Sequence, residues 1–303
     1  MTLHPDGSVS SPEPFTIGDP GKAYGQTKWA APDVESMPSD TECDGFAVDG
    51  WSIRAASVRG LMHRQFAEPR QDAYVVRWSP ELDWLVVVVC DGVSSLRLSH
   101  RAARAAADSL ADEVLSAGAR DDIDWASIFD VVSTRVIDEA RAAGSAEVRS
   151  ASEARETMAT TATVLVVVGL KGPGPWYGMS ASVGDTTTWI ASSDPTSAFG
   201  PWSEVNGIEI DGGTLTRNST SALPLTNPNV IRAAPIVVNP RQLLIVTTDG
   251  VSDAFVGGRG QVAIELGREW SEPPSPINFA AQVGYGRRTH TDDRTCVALW
   301  SPE

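Results

Sequence analysis

The chain has 303 residues, of which 42% are hydrophobic and 21% are charged, and this balance is typical of a globular protein. A formal charge of −15 disfavours binding to nucleic acid or to an anionic membrane surface, because like charges repel over a Debye length. We expect a cytoplasmic protein, because the N-terminal stretch does not resemble a signal peptide, no window is apolar enough to span a bilayer, and three scattered cysteines suit a reducing compartment.

The first 45 residues differ in composition from the rest of the chain. Residues 1–45 are rich in Pro, Gly, Ser and Asp without a sustained hydrophobic period, which predicts a flexible or loosely packed N-terminal extension. Apolar periodicity begins near the stretch FAVDGWSIRAASVRG. We therefore assign residues 46–303 to one compact domain.

Strands and helices of this domain are predicted from the apolar period, the turn residues and the helix ends. In chain order they are a strand pair at 73–78 and 84–90, helices at 97–118 and about 124–142, a strand pair at 161–169 and 176–184, a strand pair at 229–238 and 241–250, helices at 261–270 and 276–286, and a last strand at 294–300. Short turns between strands imply antiparallel sheets, and paired helices imply outer layers. We expect an α+β fold, a four-layer sandwich of two antiparallel β-sheets flanked by pairs of antiparallel helices.

Aspartates stand at the tips of several of these strands. Asp72 begins one strand and Asp91 ends its hairpin partner, so the two should converge, because the first residue of a strand lies beside the last residue of its antiparallel partner. Asp249 and Asp292 meet in the same way if the strand before Asp249 pairs with the strand after Asp292. Further candidates at strand tips are Asp185, Asp253 and Asp293.

A rim of several carboxylates repels itself unless a cation lies among them. A set of oxygen ligands favours a hard cation, Mg²⁺ or Mn²⁺, over zinc. A single Asp-Gly after a strand is usually only a turn, but two such pairs with further aspartates at other strand tips favour a cation site. His63 and His290 stand in no His or Cys cluster with the spacing of zinc ligands, so we interpret them as polar residues without a zinc role.

Six motifs, in order, resemble those of the metal-dependent protein phosphatases of type 2C, in a form like that of bacterial members. They are RQDAY, VVVVCDGVSS, MATTATV, SVGDTTTW, VTTDGVSD and DDRTCV, and the resemblance covers about residues 50–300. The fold of that family, two antiparallel sheets flanked by helix pairs, agrees with the predicted layers. The resemblance implies hydrolysis of phosphoserine and phosphothreonine in signalling proteins, by a water that bridges two metal ions and without a covalent intermediate.

The resemblance also implies roles for the aspartates at the strand tips. Asp91 would bridge two ions of Mn²⁺ or Mg²⁺ with help from the Gly92 carbonyl. Asp249 and Asp292 would complete one of the two sites, and Asp72 would act mostly through bound water. These four aspartates form the predicted catalytic set.

The predicted metal set is wider than the catalytic set. Asp185 and Asp253 match positions that hold a weaker third ion in bacterial members, and Asp293 is a further candidate ligand next to a predicted one. Residues from about 191 to 232 match the variable flap beside the catalytic cleft.

The chain departs from the family pattern near the predicted site. Gln71 stands where many members have Glu, so metal affinity is expected to be lower. Val93 stands where many animal members have a histidine thought to protonate the leaving oxygen, so water would supply that proton. The basic residue that binds phosphate stays open: Arg64 is the first choice, with His63 and Arg70 as alternatives.

The expected partners are phosphorylated proteins and a serine/threonine kinase, and we expect a monomer. Two other hypotheses stay open, a catalytically weak pseudophosphatase that binds phosphoproteins and a small-molecule phosphoesterase on the same fold. The presence of Asp91, Asp249 and Asp292 favours the phosphatase, because a binding module has no need for a clustered cation site.

Overall fold

A computed structural model describes residues 2–3, 9–10, 15–22, 38–118, 123–144, 148–193, 198–205 and 221–303 of the chain. Within these ranges the chain forms thirteen strands and seven α-helices. Among the helices of these ranges, none combines the length and the apolar character needed to cross a lipid bilayer.

The strands and helices are numbered here in chain order. The strands are β1 (Thr2–Leu3), β2 (Val9–Ser10), β3 (Thr41–Val48), β4 (Trp51–Val58), β5 (Ala73–Ser79), β6 (Trp84–Gly92), β7 (Thr160–Val168), β8 (Trp176–Val183), β9 (Thr187–Ser192), β10 (Ser203–Glu204), β11 (Arg232–Val238), β12 (Gln242–Thr247) and β13 (Arg294–Trp300). The helices are α1 (Leu61–Phe66), α2 (Ser99–Ala117), α3 (Trp125–Ala142), α4 (Ala151–Ala154), α5 (Asp249–Ser252), α6 (Gln261–Glu269) and α7 (Pro276–Val283).

Two antiparallel sheets form the centre of the fold. The six-stranded sheet has the order β10-β9-β12-β13-β4-β3, and the five-stranded sheet has the order β11-β8-β7-β6-β5. Helices α2 and α3 pack on the five-stranded sheet, and α6 and α7 pack on the six-stranded sheet. A third apolar core lies between the sheets. The predicted four-layer α+β sandwich is therefore confirmed.

Strand β6 shows why an unbroken run of apolar residues suits this architecture. Leu85, Val87 and Val89 pack in the core between the sheets, whereas Val86 and Val88 face helices α2 and α3. Successive side chains of a strand point to opposite faces, so a strand that is covered on both sides needs apolar residues at every position. The strand is thereby fixed in the centre of the sandwich, and its last residues reach the edge of the core.

Most of the predicted elements are confirmed. Strand β5 pairs with β6 as a hairpin, and β7 pairs with β8 in the same way. Helices α2, α3, α6 and α7 and strand β13 also lie where the sequence predicts them. Helix α1 was not predicted; it lies in the segment between β4 and β5, close to the cluster of aspartates described below.

The predicted pairing of residues 229–238 with 241–250 is wrong. Strand β11 pairs with β8 at the edge of the five-stranded sheet, whereas β12 lies between β9 and β13 in the other sheet. Pro235 has no N–H to donate, which suits the edge position of β11. The turn at Arg241, with φ of +59°, carries the chain from one sheet to the other instead of closing a hairpin.

Four described segments lie within the predicted N-terminal extension, at residues 2–3, 9–10, 15–22 and 38–45. Strand β3 begins at Thr41 and so crosses the predicted boundary between residues 45 and 46. Residues 15–22 lie against the domain: Ile17 is buried, and its N–H donates to the carbonyl of Gly286 (3.1 Å). Strands β1 and β2 pair with each other, and residues 1, 4–8, 11–14 and 23–37 lie outside the described residues.

The predicted flap at about 191–232 is described only in part. Residues 194–197 and 206–220 lie outside the described residues. Among the described parts, β10 pairs with β9 and extends the six-stranded sheet by one short strand. The assignment of this segment as a flap stays a prediction.

Candidate metal centre

The ends of four strands bring four predicted aspartates to one edge of the sandwich. Asp72 precedes β5, and Asp91 lies near the end of its antiparallel partner β6. Asp249 follows β12, and Asp292 lies shortly before the antiparallel partner β13. Each sheet therefore contributes two carboxylates, as expected from strand pairing.

The carboxylate of Asp72 links the two sheets. Its Oδ2 accepts hydrogen bonds from the hydroxyls of Thr248 (3.0 Å) and Thr295 (2.8 Å), which belong to the six-stranded side of the molecule. Asp72 is buried, and its Oδ1 has no hydrogen-bond partner among the described residues. A buried charged oxygen without a partner is costly, so this oxygen indicates a place for a ligand.

Burial and mutual repulsion raise the pKa values of these carboxyls. Burial raises the pKa of Asp91 well above its ordinary value of 3.8, and the charges of Asp72 and Asp249 raise it further. The pKa of Asp72 is raised well above 3.8 by burial first and then by the charge of Asp293. Burial also raises the pKa of Asp292. The ionised form of these carboxyls is therefore unfavourable in the metal-free protein. A bound cation would favour the ionised form and lower the pKa values.

Asp185 and Asp253 belong to the same cluster. The pKa of Asp249 is raised to about 6, by burial first and then by the charges of Asp185 and Asp253. The charge of Asp185 also raises the pKa of Asp91. Asp185 lies between β8 and β9, which belong to different sheets, and Asp253 follows α5. We call Asp72, Asp91, Asp185, Asp249, Asp253 and Asp292 the carboxylate cluster.

Asp293 differs from the carboxylate cluster. Its Oδ1 accepts a hydrogen bond from the N–H of Gly60 (2.6 Å) and lies 2.9 Å from Nδ1 of His63. Its Oδ2 accepts a hydrogen bond from the N–H of Gln71 (2.5 Å). Asp293 is buried with both oxygens in use, and it ties the backbone just before Asp72 to the beginning of β13.

His63 is the charge partner of Asp293. Burial alone would lower the pKa of His63, but the close contact with Asp293 and the negative charge of Asp293 outweigh burial, so the pKa of His63 is raised. The other ring nitrogen lies 3.6 Å from a carboxylate oxygen of Glu68. Ligand atoms of His63, Asp292 and Asp293 also lie within 4.8 Å of one another, a spacing small enough for one metal ion. Because both oxygens of Asp293 already accept backbone hydrogen bonds, we interpret Asp293 and His63 as residues that hold the backbone near Asp72 and Asp292 in place.

Close packing requires the glycine that follows each of two aspartates in the cluster. A Cβ on Gly92 would lie 2.8 Å from the carbonyl oxygen of Gln71. A Cβ on Gly250 would lie 2.0 Å from the carbonyl oxygen of Asp293. The two Asp-Gly pairs therefore let neighbouring backbone segments approach the cluster closely. The role of the Gly92 carbonyl as a metal ligand stays a prediction.

The structure separates the two predicted phosphate-binding arginines. Arg64 donates to Asp40 through Nε (3.2 Å) and Nη2 (2.8 Å), and it lines the same small depression as Asp292. Arg70 is almost completely buried and donates to the carboxylate of Glu42 (2.6 Å). Arg64 therefore shares a depression with Asp292, whereas Arg70 is held inside the protein.

Sequence reasoning missed several residues that support the cluster. Thr248 and Thr295 stand close to predicted aspartates in the motifs VTTDGVSD and DDRTCV, and a hydroxyl beside an aspartate at a strand tip is a signal that could have found them. Arg59 was also missed. It is buried, its Nη2 donates to the carbonyl of His63 (2.8 Å), and its Nη1 lies 3.9 Å from Asp40.

The donor set tests whether a metal ion fits this place. The cluster offers carboxylate oxygens, one of which is buried and has no hydrogen-bond partner in the described part of the chain, and neighbouring negative charges raise the pKa values of Asp91 and Asp249. Oxygen ligands with excess negative charge suit Mg²⁺ or Mn²⁺. The residues present therefore fit a hard cation.

A family model described as protein phosphatase 2C matches residues 59–277 of the chain, which is more than half of its length. The chain belongs to the protein phosphatase 2C family, whose members are metal-dependent protein serine/threonine phosphatases that act on phosphoproteins. No match is found among the curated proteins compared.

Solved structures of bacterial phosphatases share the fold. The serine/threonine phosphatase Stp1 from Staphylococcus aureus has a TM-score of 0.53 at 14% identity and covers 90% of this chain and 100% of its own. A bacterial serine phosphatase has a TM-score of 0.52 at 13% identity, over 82% and 97% of the two chains. The S. agalactiae serine/threonine phosphatase has a TM-score of 0.51 at 16% identity, over 87% and 100%. At these identities the likeness shows the fold alone.

Proposed function

We propose that the protein hydrolyses phosphoserine and phosphothreonine esters in proteins, with Mn²⁺ or Mg²⁺ held by the carboxylate cluster. The observation that best supports this proposal is the buried Oδ1 of Asp72, which has no hydrogen-bond partner within the described ranges, in a cluster whose charges raise one another's pKa values. A protein gains nothing from such repulsion unless a cation offsets it. Within this family, a cation at this place serves phosphate ester hydrolysis.

The proposed ligands follow the predicted metal set, with one change. Two ions would be held by Asp91, the Gly92 carbonyl, Asp249 and Asp292, with Asp72 acting through water, and a weaker third ion by Asp185 and Asp253. When bound, such ions supply a water of lowered pKa and offset negative charge on the phosphoryl group. We assign Asp293 a positioning role, because its oxygens already accept two backbone N–H groups and face His63.

The chain's own residues fix the direction of the ligands. Thr248 and Thr295 hold one oxygen of Asp72, so the other oxygen keeps a fixed position. Asp293 holds the backbone at Gly60 and at Gln71, directly before Asp72. Outer contacts of this kind are typically worth about 10-fold to 100-fold in metal affinity or activity.

We assign phosphate binding to Arg64. Its planar guanidinium can form two parallel hydrogen bonds to a phosphate, and it lines the depression that contains Asp292. Its present bonds go to Asp40, so a phosphate would share or replace that carboxylate. Val93 has no titratable group, so the proton for the leaving oxygen would come from water.

A phosphatase of this specificity needs a serine/threonine kinase that makes its substrates, and we propose such a kinase as its functional partner. The three cysteines, Cys43, Cys90 and Cys296, are free thiols. Free thiols suit a reducing compartment, which supports the proposed place in the cytoplasm.

Phosphate release from three substrates tests the proposed specificity: a phosphothreonine peptide, a phosphotyrosine peptide and an aryl phosphate, all with Mn²⁺. We expect the highest kcat/KM for the phosphothreonine peptide, because a protein substrate makes contacts beyond the phosphate. A higher kcat/KM for the aryl phosphate would favour the small-molecule phosphoesterase. Binding of the phosphothreonine peptide without release from any substrate would favour the pseudophosphatase.

A further inference from the structure

A groove near the carboxylate cluster carries charge of the opposite sign. It has a volume of about 670 Å³, and its lining includes Asp19, Lys22, Leu61, Arg287, Arg288 and Thr291. Three of its charged side chains are basic and one is acidic, in a chain with a formal charge of −15. A local reversal of sign of this kind gives electrostatic complementarity to an anionic partner. We call this feature the basic groove.

The basic groove adjoins the carboxylate cluster. Thr291 directly precedes Asp292, and its carbonyl accepts a hydrogen bond from the N–H of Met62 (3.1 Å). Leu61 lines both the basic groove and the depression that contains Asp292. Because a chain advances at most about 3.6 Å per residue, the Cα of Arg288 lies within roughly 14 Å of the Cα of Asp292. An extended peptide bound at the cluster spans that distance in about four residues.

Residues 15–22 of the N-terminal extension form one wall of the basic groove. The N–H of Ile17 donates to the carbonyl of Gly286 (3.1 Å), and the N–H of Arg288 donates to the carbonyl of Asp19 (2.7 Å). Ile17 is buried in the core beneath α6 and α7. These contacts place this part of the extension beside the segment that carries Arg288.

The other wall is anchored by Arg294. Its guanidinium donates to the carbonyls of Tyr285 and His290. Because Arg294 begins β13, these bonds tie both ends of residues 285–290, the segment that carries Arg287 and Arg288, to that strand. Arg287 is also engaged, because its Nη1 donates to the carbonyl of Ile17 (3.2 Å). The basic groove is thus built from two segments that hold each other in place.

Arg288 and Lys22 carry the accessible positive charge of the basic groove. The side chain of Arg288 is 73% exposed, and an oxygen of Asp19, whose side chain is 69% exposed, lies 3.8 Å from its Nη1. Lys22 is exposed as well. Both side chains can therefore meet an anionic group without first leaving a buried ion pair.

We propose that the basic groove binds acidic residues that lie within about four positions of the phosphorylated residue in a protein substrate. This inference rests on the proposed phosphatase function and adds a substrate class to it. Arg288 and Lys22 would contact the acidic side chains while the phosphorylated residue lies at the carboxylate cluster. The proposal also gives residues 15–22 a role, since they supply one wall and one of the two accessible positive charges.

Two phosphothreonine peptides test this proposal. One carries Asp and Glu within four positions of the phosphothreonine, and the other carries Asn and Gln at the same positions. We expect the wild-type protein to turn over the acidic peptide with a kcat/KM about threefold to tenfold higher, as two exposed charge pairs would give. The preference should shrink as salt is raised, because exposed charges are screened.

The variant that removes both accessible positive charges is Lys22→Gln with Arg288→Gln. In this double variant the ratio of kcat/KM between the two peptides should fall to near one. Arg135→Gln is the matched control, because Arg135 is an exposed arginine on α3, in the outer helical layer of the five-stranded sheet. The control should keep the wild-type ratio.

The outcomes separate the basic groove from the phosphatase function. Equal kcat/KM for both peptides in the wild-type protein, or an unchanged ratio in the double variant, would overturn the basic groove and leave the phosphatase standing. If neither peptide is turned over, the phosphatase function fails. Fluorescence anisotropy then measures binding of the unphosphorylated acidic peptide to the wild-type protein and to the double variant. Weaker binding by the double variant supports the basic groove, and equal binding overturns it. A double variant that loses binding to phosphatidylserine vesicles but keeps its peptide preference would also overturn the proposal.

Discussion

Two buried carboxylates at the same edge of the sandwich have opposite surroundings. Asp293 receives backbone N–H donors at both oxygens and faces the ring of His63. Asp72 keeps one oxygen without a partner among the described residues, and burial and the charge of Asp293 raise its pKa. The first arrangement stabilises the fold, whereas the second costs folding free energy until a cation binds. Burial alone therefore does not tell a supporting carboxylate from a proposed ligand.

The largest effect is expected when the carboxylate cluster loses the charge of Asp91. Asp91→Asn should lower phosphate release from a phosphothreonine peptide by at least about 100-fold, since even outer contacts of a metal site are worth 10-fold to 100-fold. Its melting temperature in EDTA should not fall, because one repelling charge has been removed. Near wild-type activity in this variant would mean that Asp91 is only a turn residue.

The Asp249→Asn variant tests whether a repelling carboxylate of the cluster lowers the stability of the metal-free protein. The pKa of Asp249 is raised from 3.8 to about 6, so its charge costs up to about 3 kcal/mol at neutral pH in the metal-free protein. The variant should melt higher than wild type in EDTA and should gain less from Mn²⁺. Thermal melts with EDTA and with Mn²⁺ measure both changes. A variant that melts lower in EDTA and gains as much from Mn²⁺ as wild type would show that Asp249 is no ligand.

Asp293→Asn should act in the opposite direction. The asparagine would place an NH₂ group against one of the N–H donors that Asp293 now accepts, at a cost of about 2 kcal/mol. We expect a lower melting temperature in EDTA and nearly the same gain from Mn²⁺ as in wild type, because this carboxylate is not assigned as a ligand. A variant as stable as wild type, with a reduced gain from Mn²⁺, would instead place Asp293 among the ligands.

The smallest effect concerns pH. A carboxyl whose pKa is raised in the folded state binds its proton more tightly there, so stability falls as pH rises from the ordinary value of 3.8 toward the folded value of about 6 and beyond. The raised pKa of His63 acts with the same sign near neutral pH. From Asp249 alone, the metal-free protein should lose about 1 kcal/mol between pH 5 and pH 7.

Melts in EDTA at a series of pH values measure this loss. Asp249→Asn is the control, and it should show a weaker dependence on pH. In saturating Mn²⁺ the trend should reverse, because metal binding requires deprotonated carboxylates. A metal-free wild-type protein that becomes more stable over the same pH range would contradict the raised pKa of Asp249.

The sequence predicted those parts of the site that follow from neighbouring strands. Asp72 and Asp91 flank a hairpin, so their convergence needs only the pairing of β5 with β6. The pairing of β12 with β13 does the same for Asp249 and Asp292, although the chain between them is longer. Such pairings can be predicted from the sequence, because long apolar runs show where each strand begins and ends.

Other features depend on contacts between distant parts of the chain. Gly60 and Gln71 are 233 and 222 positions from Asp293, and no local pattern joins them. The sheet to which β11 belongs depends on Ile236 and Val238, which pack between the sheets, and an apolar strand followed by a tight turn looks the same in either sheet. The packing of residues 15–22 was missed for a similar reason, since that segment has no hydrophobic period.

The central claim is that the carboxylate cluster binds the cation that phosphate hydrolysis requires. The most direct test is phosphate release from a phosphothreonine peptide by protein freed of metal with EDTA and dialysed, followed by titration with Mn²⁺. We predict no release before Mn²⁺ is added and a saturable return of activity afterwards, because the proposed hydrolysis needs the cation to lower the pKa of the attacking water. Full turnover by the metal-free protein would contradict this account.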